Sequence, residues 1–262
     1  MSEIDEGKGR FFIGIIRDIT EQKKIERMQS EFLANVNHEL RTPLTSIKGT
    51  LSLLKGGVVG SLDQNGARIV DAALKNTEQL VVMINEMLDL EKLNQGKMDI
   101  EVSTVRLGDV VNQSLELNQV LADARNITFE VQPIIPTSLA IKTDPARAVQ
   151  IITNYLTNAL KYSGSGQTVT IGTFVLGSFA RVSVIDRGPG VPEDKQSFLF
   201  KRFAQVDTGD ARKHGGMGLG LAISRELANR MGGRVGLLSE EGKGAEFWVE
   251  FPLVDIPPDI RL

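Results

Sequence analysis

Residues 150–163 read QIITNYLTNALKYS, and this segment decides the fold of the C-terminal part of the chain. At about 100° per residue, a helix places its apolar side chains on one face, at Ile152, Leu156 and Ala159. The opposite face carries two amides and an ammonium within about 60° of one another, at Asn154, Asn158 and Lys161. This face suits a polyphosphate with a hard cation, because amide oxygens ligate Mg²⁺ and an ammonium binds phosphate oxygens. An ordinary amphipathic helix with a polar outer face explains the same pattern equally well.

Outward from this helix, residues 97–253 mix strand-like runs with helical patterns. Asp144 and Pro145 predict the start of the helix, because an N-cap residue is often followed by proline at the first helical position. Helices are expected at 107–125, 145–161 and 219–231. Strands are expected at 98–102, 127–131, 168–175, 180–185, 234–237 and 245–251. This mixture of predicted helices and strands is typical of one layered α/β domain.

Residues 182–190, VSVIDRGPG, read as a strand that runs into a glycine turn. The carboxylate at the strand end, Asp186, can accept a hydrogen bond from an exocyclic amine. Gly188 and Gly190 let the backbone approach a flat base, because they carry no side chain. A plain turn rich in aspartate and glycine is the simpler alternative.

Residues 214–223, HGGMGLGLAI, place three glycines just before a helix. Such a turn exposes backbone N–H groups and a helix N-terminus to phosphates. The segment is neither a Walker A sequence nor a dinucleotide fingerprint after a strand. A glycine cluster alone is weak evidence, whereas the three segments in this order favour a nucleotide site.

In the N-terminal part of the chain, apolar residues recur with the period of a helix. An apolar stripe at spacings of three or four predicts one long helix from about residue 21 to residue 54, which the sequence KGGVVG at 55–60 ends. A second helical pattern over 69–93 closes at the sequence NQG, 94–96. Two long amphipathic helices form an antiparallel hairpin whose apolar face is too wide for one partner. Dimerisation into a four-helix bundle is therefore expected.

Residues 31–45 of the first helix read EFLANVNHELRTPLT. His38 lies about 200° from the neighbouring apolar positions of the stripe and is expected to face water. Glu39 is adjacent, Thr42 follows one turn later, and Pro43 is expected to bend or loosen the helix. An exposed imidazole beside a carboxylate is a plausible nucleophile with its base. A surface histidine on a solvated face is the alternative.

Composition excludes several classes of function. The chain has 30 Lys and Arg against 33 Asp and Glu, a net charge of −3, which argues against nucleic acid or an anionic membrane surface as the main partner. The absence of cysteine excludes disulfides and thiolate chemistry and favours a reducing compartment. No run approaches the roughly 20 apolar residues that span a bilayer, and the polar start is no signal peptide. We therefore expect a soluble, cytoplasmic protein of one or two domains.

The string at 31–45 resembles the H-box of sensor histidine kinases, in which a phosphorylatable histidine is followed by glutamate, two residues, threonine and proline. The resemblance implies that His38 is phosphorylated on an imidazole nitrogen and that Glu39 accepts its proton. It implies that Thr42 positions water when the enzyme dephosphorylates its partner. It also implies a homodimer and a response regulator whose aspartate receives the phosphoryl group.

The three later segments resemble the N, G1 and G2 boxes of the ATP-binding domain shared by histidine kinases and the wider GHKL ATPases. This resemblance implies ATP and Mg²⁺ as cofactors. In the N box, Asn158 would bind Mg²⁺ with Asn154 supporting it. Lys161 would meet the phosphates, and Tyr162 would lie beside the nucleotide.

In the G1 box, the resemblance implies that Asp186 recognises the adenine amine and that Gly188 and Gly190 shape that wall. In the G2 box, the phosphate-side turn and the hinge of the ATP lid would be formed by Gly216, Gly218, Leu219 and Gly220. Three aromatic residues resemble the F-box of that lid, with core packing as the alternative for at least one of them: Phe198, Phe200 and Phe203.

Three residues depart from the family pattern. Gln205 stands where many members carry an arginine that reaches the γ-phosphate, a role that Arg202 or Arg212 could take over. Met217 replaces a common serine or threonine. Ala245 replaces a common threonine near the adenine.

The resulting organisation has four parts. Residues 10–24 resemble the last strand and exit motif of a PAS sensor domain, so residues 1–20 are expected to be a remnant of one. A dimerisation and phosphoacceptor domain is expected at 21–96, a two-layer α/β sandwich that binds ATP at 97–253, and a tail at 254–262. A GHKL ATPase that performs mechanical work and a non-enzymatic dimeric scaffold are the alternatives to a histidine kinase core.

Overall fold

The computed structural model describes residues 2–5, 10–13, 18, 40, 42–58, 60–132, 139–204 and 218–254. Several predicted features lie outside these residues, namely the helix over 21–39 with His38 and Glu39, the residues Gln205, Arg212, Gly216 and Met217, and the tail.

Two long helices form an antiparallel hairpin, as predicted. Helix α1 covers 42–55 and helix α2 covers Gln64–Asn94. Lys55 pairs with Asp71 at 2.9 Å near the loop, and Lys48 pairs with Glu78 at 3.2 Å farther along. The second pair lies farther from the loop on both helices, so the helices run in opposite directions. Asp63 caps α2 by accepting a hydrogen bond from the Gly66 amide at 2.7 Å.

A small hairpin lies at the start of the chain. Strand β1, Ser2–Asp5, pairs antiparallel with β2, Arg10–Ile13. The sequence predicts a strand at 10–19, and its described part is β2. The partner strand β1 was missed because its residues have no apolar alternation.

The larger domain contains the remaining elements, in chain order β3 Ser103–Arg106, α3 Leu107–Ala124, β4 Thr128–Val131, β5 Ala140–Thr143, α4 Pro145–Tyr162, β6 Thr168–Leu176, β7 Phe179–Asp186, α5 Glu193–Gln196, α6 Gly220–Arg230, β8 Arg234–Glu240 and β9 Gly244–Pro252. Five strands form one sheet in the order β4-β6-β7-β9-β8. β4 runs parallel to β6, whereas all other neighbours in this sheet are antiparallel.

The strand predicted at 98–102 is wrong, since residues 97–102 form no strand. The strand lies at 103–106 instead, where β3 pairs with β5, an element that the sequence did not predict. Within 97–102, Glu101 is held by a side chain and not by a neighbouring strand, because its backbone amide donates to the Asp144 carboxylate at 3.0 Å. Strands of four residues carry too little periodicity to be recognised without their partner.

The main core lies between the five-stranded sheet and the helices α3, α4 and α6. Alternate residues of β7 are buried under these helices, namely Ala180, Val182 and Val184. The same core contains the end of α2 and the following turn, through Leu90, Leu93 and Met98. The helical hairpin and the sandwich therefore share buried apolar surface. Among the residues described, no helix is long and apolar enough to cross a membrane.

Candidate nucleotide site and phosphoacceptor helix

Helix α4 presents the two faces that its sequence predicts. Asp144 caps the helix by accepting from the Arg147 amide at 3.1 Å, and proline follows as the first helical residue. The apolar face is fully buried, at Ile152, Leu156 and Ala159. The polar residues of the opposite face are half-buried, at Asn154, Asn158 and Lys161. The helix is therefore anchored by one face and leaves its polar groups accessible.

Asn154 connects α4 to the start of α6. Its side-chain amide donates to the Ser224 hydroxyl at 2.9 Å, and Ser224 is buried. A Cβ added at Gly220 would lie 2.5 Å from the side-chain oxygen of Asn154, so any larger residue would have to displace that side chain. Within the described residues, the Asn158 amide makes no hydrogen bond and is available to a ligand. Asn154 thus positions the first turn of α6, whereas the Asn158 amide has no partner among the residues that the structure describes.

Asp186 lies at the end of β7 and is only 4% exposed. One of its carboxylate oxygens accepts two backbone hydrogen bonds, from Gly188 at 2.8 Å and from Ala245 at 3.3 Å. Burial raises the pKa of this carboxyl, and the two backbone hydrogen bonds lower it in part. The second oxygen has no partner among the described residues and can accept a hydrogen bond from a ligand.

The glycine turn after Asp186 packs against two neighbouring elements. A Cβ at Gly188 would lie 3.0 Å from the Tyr162 carbonyl oxygen at the end of α4. Gly190 has φ +71°, and a Cβ there would lie 2.2 Å from the Glu240 carbonyl oxygen at the end of β8. The side chain of Tyr162 is exposed, and the Lys161 ammonium lies 4.9 Å from its ring centre. The turn therefore brings Asp186 next to the C-terminal end of α4.

The backbone before α6 is equally constrained. Gly218 has φ +68°, and a Cβ there would lie 2.3 Å from the Ala204 carbonyl oxygen. Leu219 was predicted to bind the cofactor, yet its side chain is fully buried in the hydrophobic core. Only its backbone can contribute to a site. Of the predicted G2 residues, Gly220 lies beside Asn154 of α4, Gly218 packs against Ala204, and Gly216 is outside the described residues.

Core packing holds for one of the three phenylalanines, and the lid role of the other two stays a prediction. Phe200 packs against the core, whereas Phe198 and Phe203 are exposed. Phe203 has φ +59°, which is uncommon for an aromatic residue. Arg202, a candidate for the γ-phosphate, donates instead to the side chain of Asn94 at the end of α2.

On the phosphoacceptor helix, the structure describes one predicted site residue. Thr42 is exposed in α1, as is Pro43. The predicted orientation of His38 therefore stays a prediction.

Sequence reasoning missed several polar residues that hold the site together. Ser224 contacts Asn154, and Ser239 and Gln196 bind the turn after Asp186. A serine at a buried position of a helical stripe, as at Ser224, was the one available signal. Ser239 and Gln196 gave none, because the contacts of Ser239 with Val191 and of Gln196 with Ser239 join segments 48 and 43 positions apart.

The fold and this group of polar and glycine residues define a class of protein, a helical hairpin followed by a nucleotide-binding α/β sandwich. Two family models match the chain. Residues 28–96 match the His Kinase A (phospho-acceptor) domain, and residues 143–255 match the histidine kinase-, DNA gyrase B-, and HSP90-like ATPase domain. The chain belongs to the sensor histidine kinases. Both models begin after residue 27, so the PAS remnant at 1–20 stays a prediction.

Curated relatives agree with this family. The sensor protein kinase WalK of Staphylococcus haemolyticus is 33% identical over 243 residues, which cover 92% of this chain and 39% of the relative. The hybrid signal transduction histidine kinase D of Dictyostelium discoideum is 35% identical over 241 residues, covering 88% of this chain and 15% of the relative. The chain thus spans well under half the length of these relatives.

Among solved structures, full-length ShkA in complex with AMPPNP matches with a TM-score of 0.68 and 32% identity. The match covers 87% of this chain and 47% of that chain. The histidine kinase AdeS of Acinetobacter baumannii matches with a TM-score of 0.58 over 83% of this chain and 98% of that chain, and its 21% identity supports the fold alone.

Proposed function

We propose that this chain is a catalytic core that binds ATP with Mg²⁺, transfers the γ-phosphoryl group to His38, and passes it on to an aspartate of a response regulator. The observation that carries the proposal is the arrangement of polar groups and glycines along α4. There, the buried carboxylate of Asp186 and the glycine-lined start of α6 flank the amide of Asn158. Within the described part of the chain, this amide and one oxygen of the carboxylate have no partner. A base, a cation and phosphates each find a suitable partner.

At this site, Asp186 accepts a hydrogen bond from the adenine amine, and the turn with Gly188 and Gly190 lies beside the base. The half-buried Lys161 binds phosphate oxygens. The backbone of Gly218, Leu219 and Gly220 contributes on the phosphate side, and Gly216, which lies outside the described residues, is included because of the resemblance to the G2 box. Tyr162 is placed to lie beside the nucleotide, since its exposed ring follows Lys161 directly.

The donor set fits Mg²⁺ held jointly with the nucleotide. Mg²⁺ prefers oxygen ligands and retains several waters, so one amide oxygen together with the phosphates is a common arrangement. The Asn158 carbonyl oxygen supplies that ligand, while Asn154 supports it through α6. Among the described residues, no group of three or more His, Cys, Asp or Glu could hold a metal without the nucleotide. When bound, Mg²⁺ neutralises phosphate charge.

The phosphoryl step moves one group between two molecules. An imidazole nitrogen of His38 bonds to the γ-phosphorus, the bond from that phosphorus to the bridging oxygen breaks, and ADP leaves with the electron pair. Glu39 accepts the imidazole proton. Catalysis of this kind depends on positioning and charge neutralisation, which suits an acceptor helix and a nucleotide domain joined in one chain.

The partners follow from the same proposal. The chain acts as a homodimer through the helical hairpin, and the response regulator docks near His38, where the exposed Thr42 positions water for dephosphorylation. Neither nucleic acid nor a membrane is a partner of this segment, and the location is cytoplasmic. The boundaries 21–96 and 97–253 belong to the proposal, as do the remnant at 1–20 and the tail at 254–262.

The decisive test is incubation with Mg²⁺ and ATP labelled at the γ-phosphate. We expect His38→Ala to abolish incorporation of label, because it removes the attacking nitrogen. The matched control is His214→Ala, since the chain has only two histidines, and this variant should label like the wild type. The bound phosphate should be labile to acid and stable to base. Labelling that persists in His38→Ala would contradict the acceptor assignment, and ATP hydrolysis without any labelling would favour a mechanical ATPase.

A further inference from the structure

One hydroxyl group joins the two backbone segments that hold Asp186. Ser239, in β8, accepts a hydrogen bond from the Val191 amide at 2.9 Å. The same hydroxyl donates to the Gly244 carbonyl oxygen at 2.7 Å. Ser239 therefore connects the turn after β7 to the first residue of β9.

These two segments supply both amides that bind the Asp186 carboxylate. The Gly188 amide belongs to the turn that Val191 closes, and the Ala245 amide directly follows Gly244. Because both donors bind the same carboxylate oxygen, their relative position determines where the other oxygen points. Ser239 thus acts on the direction of Asp186 without touching it.

Gln196 strengthens the same connection from α5. Its side-chain amide donates to the carbonyl oxygens of Val191 and Ser239, both at 2.9 Å. The turn has little room to move, because the Gly242 amide also donates to the Pro189 carbonyl oxygen at 2.7 Å. The hydroxyl and the amide therefore clamp the turn to the β8–β9 hairpin.

We propose that Ser239, assisted by Gln196, is a positioning residue that fixes the direction of the Asp186 carboxylate and so sets the selectivity of the site for a purine with an exocyclic amine at C6. This inference rests on the proposed binding of ATP. A carboxylate that points correctly favours ATP over a nucleotide without that amine, because a buried acceptor left unpaired is unfavourable.

The test compares the affinities for ATP and for purine riboside triphosphate, which lacks the amine. The dissociation constants are measured by calorimetry with Mg²⁺ on the full chain. We expect Ser239→Ala to weaken ATP binding by about 5- to 10-fold, the usual effect of losing one such hydrogen bond. Binding of the analogue should change little, so the preference for ATP narrows. Gln196→Leu should also reduce the preference for ATP over the analogue. Ser239→Thr, which keeps a hydroxyl, should show the preference of the wild type.

Ser183→Ala is the matched control. Ser183 lies in β7 near Asp186 and is fully buried, but its hydroxyl donates to Glu246 at 2.6 Å. The Ser183→Ala variant should leave the preference for ATP over the analogue unchanged, even if its melting temperature changes. An unchanged preference in both Ser239→Ala and Gln196→Leu, or an equal loss for both nucleotides, would overturn the inference while leaving the proposed function intact. A wild-type chain that binds neither nucleotide would overturn both.

Discussion

At the scale of single residues, Asp186 illustrates how a carboxylate is prepared for one hydrogen bond. It is nearly inaccessible to solvent, yet two backbone amides saturate only one of its oxygens. Burial raises the pKa of the group, and the amides restore part of its acidity. The carboxylate is therefore held in place by backbone donors while one acceptor stays available.

Gly220 gives the prediction at this scale. In Gly220→Ala the new methyl group would lie 2.5 Å from the side-chain oxygen of Asn154. The Asn154 side chain cannot move away without losing its hydrogen bond to Ser224. We expect a loss of about 1–3 kcal/mol in the free energy of unfolding and weaker ATP binding. Chemical denaturation and calorimetry measure the two effects.

The control for this prediction is Gly108→Ala. Gly108 also lies in a helix, α3, but no atom lies within 4 Å of its added Cβ. Alanine there should raise stability by about 0.5–1 kcal/mol without changing ATP affinity. The same change in the free energy of unfolding and in ATP affinity for Gly220→Ala and Gly108→Ala would contradict the close contact between α4 and α6.

At the scale of elements, the end of α2 belongs to two domains at once. Leu93 is fully buried in the core of the sandwich, and the Arg230 guanidinium of α6 donates to its carbonyl oxygen. The Gln150 amide of α4 donates to Asp89 at 3.0 Å. This end of the helix is therefore held by apolar burial together with polar contacts to two helices of the sandwich.

Glu86 makes this junction sensitive to pH. Burial raises the pKa of its carboxyl, and the nearby charge of Asp89 raises it further. Above that pKa the charged group opposes folding. As the pH falls, the folded chain takes up the proton before the unfolded chain does, and the penalty disappears. We expect Glu86→Gln to unfold at a higher temperature than the wild type at pH 8, with the difference lost near about pH 4.

Thermal unfolding across this pH range is the measurement. Glu78→Gln is the control, because Glu78 is exposed on the same helix and pairs with Lys48. It should show no such gain at pH 8. A difference between Glu86→Gln and the wild type that grows towards acid would refute the assignment, since it has the opposite sign.

At the scale of the whole molecule, the helical hairpin exposes several large apolar side chains. The exposed apolar side chains of α1 and α2 include Ile47, Leu53, Ile69 and Leu80. Ile69 and Leu80 are 11 residues apart and share one face of α2. Large exposed apolar side chains that share one helix face are typical of an interface, which supports the proposed four-helix bundle.

We therefore expect the double substitution of Ile69 and Leu80 by aspartate to convert the dimer into a monomer, because four charges would face the bundle interior. Sedimentation equilibrium measures the mass. The control replaces Leu117 and Val120 of α3 by aspartate, since both are highly exposed apolar residues of the sandwich. This second variant should stay dimeric. Dimers in both variants would argue against the hairpin as the interface.

Much of the architecture could be predicted from local patterns. The end of α2, the bounds of α4 and the two faces of α4 follow from periodicity and from the caps at Asp144 and Gly96, where φ is +67°. The start of α2 lies at Gln64, five residues before the predicted pattern begins. The pairing of β3 with β5 could not be predicted, because each strand has four residues and is stabilised by the other. The contact of Arg202 with Asn94 also depends on a residue 108 positions away.

The sequence alone determined the family motifs, the polar face of α4 and the candidate roles of Asp186 and Asn158, because these depend on residues within a few turns of one another. Only the tertiary structure decided that Asn154 binds Ser224 and that Leu219 is a core residue. It also decided which residues hold Asp186, since Ala245 lies 59 positions away from it. The physical reason is that a hydrogen bond between distant segments requires the sheet to bring them together, and no local pattern records which strands become neighbours.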